Sequence, residues 1–290
     1  MIFVFLSGIA GALFGLSYKI RAQLNLEYRR VLLVGGAWSI IMSAAAVIAY
    51  GEPFYSLPAL LIGIPWGISL TLSMIVYFRV VERAKLNVSW TFIQLSLIIP
   101  FALSVLVYGE GISWLNALGI GLVFATIFLF GLGKVPKEGR DGQWRKAAGD
   151  LILTLVLTGI SQSFPKVYQA LPGDRPTLTV LLYASVGMLL SAIVTIFMPA
   201  RSDGATVQDK QPALAIVVFA FWMSAARLAV PLLILLALGS VAGTIVFPLR
   251  TITNIIAVLL LSFAFYGERL KASEAMGIPV AVAAIVLLTL

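Results

Sequence analysis

The sequence predicts an all-α integral membrane protein whose ten transmembrane helices form two inverted five-helix repeats. Three observations predict this fold: an apolar composition, ten separate apolar runs, and a tripeptide that recurs at the same place in both halves of the chain. Hydrophobic residues make up 61% of the chain and charged residues 11%, whereas about a quarter of the residues of a soluble domain are charged. Because such a chain cannot cover itself with a polar surface, we expect lipid to surround it.

The ten apolar runs have about the length that a helix needs to cross a bilayer, roughly 20 residues. They cover about 2–20, 31–50, 57–78, 87–107, 112–132, 149–170, 177–198, 213–237, 241–265 and 274–290. Lys and Arg are concentrated at the ends of the odd-numbered runs and in the connections that follow them, which together hold sixteen, against two for the even-numbered runs. By the positive-inside rule we expect the basic connections to be cytoplasmic and both termini to lie outside.

The tripeptide Tyr-Gly-Glu relates the two halves of the chain. Tyr108-Gly109-Glu110 closes the fourth run and Tyr266-Gly267-Glu268 closes the ninth, 158 residues later, and Gly-Ile follows nine residues after each Glu. This match predicts one repeat over 1–133, a polar linker loop over 134–148 and a second repeat over 149–290. Because five is odd, the second repeat enters the membrane in the opposite sense, an arrangement typical of secondary transporters.

A third copy, Tyr50-Gly51-Glu52, ends the second run but lacks the downstream Gly-Ile match. We interpret it as a chance reuse of the same helix ending. In each copy we expect the Gly to end a helix and the Glu to be solvated just outside the hydrocarbon.

On these features the chain resembles the EamA-like branch of the drug/metabolite transporter superfamily. The resemblance rests on ten spans in two halves and on a Gly-Glu pair that closes the fourth helix of each half, before a glycine-bearing fifth helix. It implies a carrier that alternates between inward-open and outward-open states, for substrates that range from amino acids to nucleotide sugars. The chain departs from the family in two ways. Ser96 and Asn254 stand where members often carry proline, and the charge bias places the termini outside, whereas many members have cytoplasmic termini.

The charged residues at membrane depth are positive. All twelve acidic residues lie in connections or at the ends of runs, whereas Arg227 and Arg250 lie inside runs. An arginine at the bilayer centre costs about 2.5–3.5 kcal/mol, so each needs a partner or a wet cavity. A guanidinium binds carboxylate or phosphate well, which predicts an anionic substrate group. The alternatives are that these side chains snorkel or bond to carbonyls freed near Pro231 and Pro248.

Polar and aromatic residues on equivalent helices complete the predicted site. The predicted substrate-binding residues are Arg250, Asn254, Gln94, Arg227, Thr91, Trp90 and Thr251. The predicted pathway or gate residues are Tyr18, Lys19, Gln162, Pro165, Lys166 and Trp66. For each of these the alternative is ordinary helix packing, interhelical bonding or snorkelling. The spacing Gly63-x-x-x-Gly67 predicts a close approach between helices.

These residues favour a secondary transporter of small polar metabolites that bear an anionic group, with alternating access around a midplane site. The alternatives are an exporter of drugs or organic cations of the same superfamily and a non-transporting accessory subunit. With no His and no Cys, no nucleophile or metal-ligand cluster assembles, so we expect no enzyme, no metal and no cofactor. The expected partners are a small-molecule substrate and the lipid bilayer, most simply the bacterial inner membrane, and not nucleic acid despite the net charge of +8. The sequence is compatible with both a monomer and a homodimer.

Overall fold

The described residues fold entirely as α-helices joined by short connections. The computed structural model describes residues 1–24, 26–83, 93–132, 141–197, 213–266 and 272–290. Its helices, in chain order, are α1 Ile2–Gln23, α2 Tyr28–Tyr50, α3 Leu57–Arg83, α4 Ile98–Leu106, α5 Trp114–Leu132, α6 Asp141–Ala170, α7 Thr177–Phe197, α8 Ala213–Leu238, α9 Gly243–Tyr266 and α10 Ala272–Thr289. Because a helix pairs its own backbone N–H and C=O groups, it is the form that apolar runs adopt in lipid.

Six of the described helical stretches are long and apolar enough to cross a membrane. They are Tyr28–Tyr50, Leu57–Tyr77, Gly149–Ala170, Thr177–Phe197, Ala213–Leu238 and Gly243–Phe265. Four shorter apolar stretches accompany them: Ile2–Tyr18, Ile93–Leu106, Trp114–Leu129 and Ala275–Thr289. Large apolar side chains such as Leu61, Phe128 and Leu260 are exposed on the outside of the bundle, as contact with lipid requires. The chain is therefore a multi-pass helical membrane protein.

The fourth apolar run is not one continuous helix. A helical turn over 93–95 is followed by a turn at Ser96 and Leu97, and α4 begins at Ile98. The backbone N–H groups of Ser96 and Leu97 donate to the carbonyls of Ile93 and Gln94, which is the tighter i to i+3 pattern. The predicted span 87–107 is thus interrupted beside Gln94, and its first residues, 87–92, lie outside the described part of the chain.

The sixth helix begins earlier than the sequence predicts. α6 starts at Asp141, inside the segment 134–148 that is predicted as a linker loop, so 141–148 is helical. The stretch Gln143-Trp144-Arg145-Lys146-Ala147-Ala148 is rich in good helix formers, and it extends the apolar helix that follows.

The helices pack in a pattern that relates each of the first five to the helix five places later. α1 packs against α8 and α9, and correspondingly α6 packs against α3 and α4. α2 packs against α8, and correspondingly α7 packs against α3. When each helix is exchanged for the one five places away, α2 with α7 and α5 with α10 remain the same pairs. The most extensive helix pairs of the described structure are therefore preserved when helix n is exchanged for helix n+5.

Glycines allow α3 and α7 to approach backbone to backbone. A Cβ atom at Gly67 would lie 1.9 Å from the carbonyl oxygen of Ala184, and one at Gly187 would lie 2.3 Å from that of Ile64. A Cβ atom at Gly63 would likewise lie too close to α7, at 2.7 Å from the carbonyl oxygen of Val180. The close approach predicted from Gly63-x-x-x-Gly67 is confirmed, since no side chain would fit there.

The glutamates of the two described Tyr-Gly-Glu copies are partly exposed to solvent, as predicted, but they are also bound by the protein, which the sequence does not predict. Gly51 and Gly109 do end their helices, with φ of 68° and 64° in the left-handed region. Each following Glu, however, accepts hydrogen bonds from backbone N–H groups at the start of a helix in the second half of the chain. Such N–H groups have no partner within their own helix and carry the positive end of its dipole, so they attract a carboxylate. Glu268 of the other copy lies outside the described residues.

Glu52 and Glu110 play the same structural part, so the copy at 50–52 shares its role with the copy at 108–110. Glu52 Oε2 accepts from the N–H groups of Leu178 and Thr179 at 2.8 and 3.0 Å, in the first turn of α7. The two carboxylate oxygens of Glu110 accept from the N–H groups of Gly243 and Thr244 at 3.1 and 2.8 Å, in the first turn of α9.

Candidate functional site

A central cavity of about 140 Å³ lies between helices of both halves. α1, α3 and the turn before α4 supply its walls from the first half, and α6, α8 and α9 supply them from the second. The described lining residues are Gly11, Phe14, Tyr18, Trp66, Leu70, Ser73, Met74, Tyr77, Ile93, Gln94, Thr158, Ser161, Gln162, Arg227, Val230, Pro231, Ile234, Arg250 and Asn254.

One wall of the cavity is a chain of side-chain amides around the interruption before α4. Gln94 Nε2 donates to Asn254 Oδ1 at 2.6 Å, and Asn254 Nδ2 donates to the carbonyl oxygen of Gly8 on α1 at 3.1 Å. Gln94 and Asn254 are both buried, so these bonds satisfy amide groups that would otherwise be costly to remove from water. The pair joins the first half of the chain to the second at the cavity.

Arg250 extends this wall through a second amide. Its Nη1 lies 3.4 Å from Gln162 Oε1, and Gln162 Nε2 donates to Ser96 Oγ at 3.0 Å. Its Nη2 lies 3.7 Å from the place where a Cβ atom at Gly11 would stand, so the guanidinium reaches across to α1. The absence of a side chain at Gly11 leaves the space that Arg250 and Asn254 occupy.

Arg227 lies on another wall, among hydroxyl and aromatic groups. It is only 4% exposed, and its Nη2 donates to Thr71 Oγ1 at 3.5 Å. Tyr18 and Tyr77 also line the cavity, and their rings meet edge to face at 5.0 Å. The cavity lining therefore combines this buried cation with two phenol groups.

Neither arginine is neutralised by an acidic side chain within the described residues. The Nε atoms of Arg227 and Arg250 are buried without a hydrogen bond partner in this part of the chain. The described lining of the cavity contains two arginines and no Asp or Glu. Arginines with unmet donors in a cavity are suited to bind an anion, since a carboxylate or phosphate would supply the missing acceptors.

Beyond one end of the cavity, Glu110 ties α6 to the first turn of α9. Lys166, one turn after Gln162 on α6, forms an ion pair with Glu110, and each side chain is 14% exposed. The ammonium also lies 5.3 Å from the centre of the Tyr108 ring. Burial alone would raise the pKa of the Glu110 carboxyl, but hydrogen bonds from Lys166 and from two backbone N–H groups of α9, together with the Lys166 charge, lower it below its ordinary value of 4.5. Glu110 is therefore ionised at neutral pH.

The structure brings seven of the predicted residues to the cavity. Those that line it are Arg250, Asn254, Gln94, Arg227, Tyr18, Gln162 and Trp66. Trp66 stacks on Phe164 of α6, with ring centres 6.5 Å apart. Thr251 is buried but does not line the cavity, while Pro165 lies inside α6 and Lys166 pairs with Glu110. Trp90, Thr91 and the side chain of Lys19 lie outside what the structure describes.

Several lining residues were not predicted from the sequence. Thr158 and Ser161, with Gln162, form a polar stripe at helical spacing on α6, and Ser73 with Tyr77 forms another on α3. Each stripe lies in the part of its helix that is apolar enough to cross a membrane. This periodicity is the signal that could have found them.

Comparison with known proteins shows a likeness of fold to a solved structure. No family model matches the sequence, and no curated protein matches it. The chain is similar to a solved structure described only as "Crystal structure of protein", with a TM-score of 0.72 over 99% of this chain and 98% of that chain. The two sequences are 15% identical, so the likeness concerns the fold alone.

Proposed function

We propose that the protein is a secondary transporter of small anionic metabolites that works by alternating access around the central cavity. The observation that carries this proposal is the pair of arginines, Arg227 and Arg250, on the walls of a cavity whose described lining contains no acid. An arginine held at membrane depth without a counter-charge is costly. A bound anion offsets that cost.

The helix packing supports an architecture of two inverted halves, each with five spans. Exchange of helix n for helix n+5 preserves the main helix pairs, as a repeat that enters the membrane in the opposite sense would require. The cavity lies between the halves, and a discontinuous helix borders it at Ser96 and Leu97. Both features are typical of secondary transporters. This proposal agrees with the resemblance to the drug/metabolite transporter superfamily.

The cavity favours a small anion over a drug or an organic cation. Its volume of about 140 Å³ is below the roughly 300–1,000 Å³ that is typical of pockets for drug-sized ligands. An organic cation would have to enter beside two positive charges, with no carboxylate among the described lining residues to pair with it. Like charges in a site of low dielectric repel strongly.

The experiment compares anion uptake into liposomes that contain the wild-type protein or one of two arginine variants. Arg250→Ala removes a cation from the cavity wall. Arg175→Ala is the matched control, because Arg175 is exposed at the turn between α6 and α7 and donates to the carbonyl of Gln169. The probes are labelled pyruvate, succinate, glutamate and inorganic phosphate, with tetraethylammonium as the cation.

We expect Arg250→Ala to lower the uptake of a transported anion by roughly 10- to 100-fold, the effect of losing a hydrogen bond to a charged group. Arg175→Ala should transport like the wild type. The proposal is wrong if the folded Arg250→Ala protein carries every anion at the wild-type rate, or if the wild type carries only tetraethylammonium.

A further inference from the structure

The interruption before α4 is connected to α9 by two routes. Gln94 donates directly to Asn254 on α9 at 2.6 Å. Ser96 accepts from Gln162 on α6, and Gln162 in turn accepts from Arg250 on α9. Arg250 and Asn254 are four residues apart, so both routes end on one face of α9. Among the described residues, Gln162 is therefore the link between the interruption and Arg250.

The two routes differ in strength. Gln94 and Asn254 form a short bond, and both side chains are more than nine-tenths buried. Arg250 Nη1, in contrast, lies 3.4 Å from Gln162 Oε1. A guanidinium and an ionised acceptor typically approach to about 2.7–2.9 Å and form a stronger bond. A carboxylate or phosphate in the cavity would therefore displace the neutral Gln162 carbonyl from Arg250.

The nitrogen of the same Gln162 amide is bonded to Ser96. Gln162 Nε2 donates to Ser96 Oγ at 3.0 Å, and the Ser96 hydroxyl donates to the carbonyl oxygen of Ile93. That carbonyl also accepts the backbone N–H of Ser96 in the turn of the interruption. The amide is planar and rotates as a unit about its last side-chain bond. A rotation that takes its oxygen away from Arg250 therefore also takes its nitrogen away from Ser96.

We propose that Gln162 couples anion binding to the interruption before α4. An anion that binds Arg250 displaces the Gln162 carbonyl, the amide turns, and Ser96 loses its bond from α6. The bond between Gln94 and Asn254 remains, so the interruption stays attached to α9 while its attachment to α6 is released. This inference rests on the proposed function and adds to it a positioning residue, which transmits occupancy of the cavity to a discontinuous helix.

The first experiment measures hydrogen–deuterium exchange of the purified wild-type protein with and without a bound anion. The probes are pyruvate, succinate, glutamate and inorganic phosphate, each tested for binding by calorimetry. The backbone N–H groups of Ser96 and Leu97 donate within the interruption, so the peptide that contains them reports on it. A bound anion should raise its exchange by roughly 3- to 10-fold, the effect of losing one neutral hydrogen bond. Unchanged exchange with an anion that binds would overturn the inference.

The second experiment uses Gln162→Met to separate coupling from binding. Methionine is an unbranched side chain of similar length that offers no amide to Arg250 or to Ser96. We expect a Kd for the transported anion within about threefold of the wild-type value, and a maximal uptake rate at least about tenfold lower in liposomes. In this variant, exchange of the peptide with Ser96 should be high without anion and should not change when the anion binds.

Gln169→Met is the matched control. Gln169 lies on the same helix, donates to the carbonyl oxygen of Leu235 on α8 at 3.1 Å, and is not among the described residues that line the cavity. The same substitution there should leave anion binding, the maximal uptake rate and exchange at the interruption as in the wild type.

The results separate this inference from the proposed function. If Gln162→Met weakens anion binding and keeps the wild-type maximal rate, Gln162 only binds substrate, and the inference fails while the anion carrier stands. A Gln162→Met protein that equals the wild type in both respects also excludes the coupling role. If the wild type neither binds nor carries any of the four anions, both proposals are overturned. The exchange measurement needs only the wild type, so it gives an answer even where Gln162→Met does not fold.

Discussion

Glu52 and Glu110 end the same tripeptide, and their surroundings differ in one respect. Both follow a glycine in the left-handed conformation, and both accept hydrogen bonds from two backbone N–H groups in the first turn of a helix. Within the described residues, Glu52 also accepts from the Thr179 hydroxyl, on the helix that it already caps. In the same part of the chain, Glu110 also pairs with Lys166, on a third helix.

Because of this difference, the two carboxylates connect different sets of helices. Glu52 fixes the end of α2 to the start of α7, which lie side by side and do not line the cavity. Glu110 connects the segment after α4 to the first turn of α9 and to α6, and both of these helices carry cavity residues. The same motif thus joins two helices away from the cavity in one place and contacts two cavity helices in another.

The largest effect is expected for Glu110→Gln. The change leaves Lys166 without its counter-charge and weakens the cap of α9, which should destabilise the folded protein by about 2–4 kcal/mol. The six tryptophans report unfolding in detergent through their intrinsic fluorescence. Adding Lys166→Met to Glu110→Gln should recover part of the loss, because it removes the unpaired charge. If Glu110→Gln lowers the free energy of unfolding no more than Glu52→Gln does, the ion pair with Lys166 contributes no stability beyond that of the helix cap.

Glu52→Gln should have a smaller effect, of about 1–2 kcal/mol, since it weakens only the cap of α7. Because α7 does not line the cavity, transport by the folded variant should equal that of the wild type. The same fluorescence measurement and the liposome uptake assay test both expectations. Impaired transport by a stable Glu52→Gln protein would remove the distinction between the two carboxylates.

The smallest effect is the pH dependence of stability. The pKa of Glu110 is lower in the folded protein than its ordinary value of 4.5, so its ionised form contributes stability above that pH. That contribution is lost as the pH falls below 4.5 toward the folded pKa. The wild type should therefore lose more apparent Tm than Glu110→Gln between about pH 5 and pH 3. Parallel curves for the two proteins would contradict the assigned ion pair.

Much of the candidate site could be predicted from residue type alone. Arg227, Arg250 and Asn254 are polar residues deep within apolar runs, and such residues are expensive unless they face a cavity or a partner. Thr158, Ser161 and Ser73 were missed because a small hydroxyl in a membrane helix is often satisfied by its own backbone. Only the packing of the helices decides which hydroxyls face the cavity.

The role of Glu110 could not be predicted, because its partners are distant in the sequence. Lys166 is 56 residues away and Thr244 is 134 residues away, and no local pattern specifies either contact. The six long apolar helices of the described residues followed from apolar length. The interruption at Ser96 did not, since that residue could also stand within a continuous helix.

Labelling of a single introduced cysteine tests alternating access most directly. The natural chain has no cysteine, so Ser161→Cys, on the cavity wall, would be the only thiol. Ile160→Cys is the control, because Ile160 is next to it on α6 and is exposed on the apolar outside of the bundle. A membrane-impermeant thiol reagent is applied to vesicles of either orientation. We predict that Ser161→Cys reacts from both sides, that a bound anion protects it, and that Ile160→Cys does not react. Reaction from one side only, with or without anions, would contradict alternating access through this cavity.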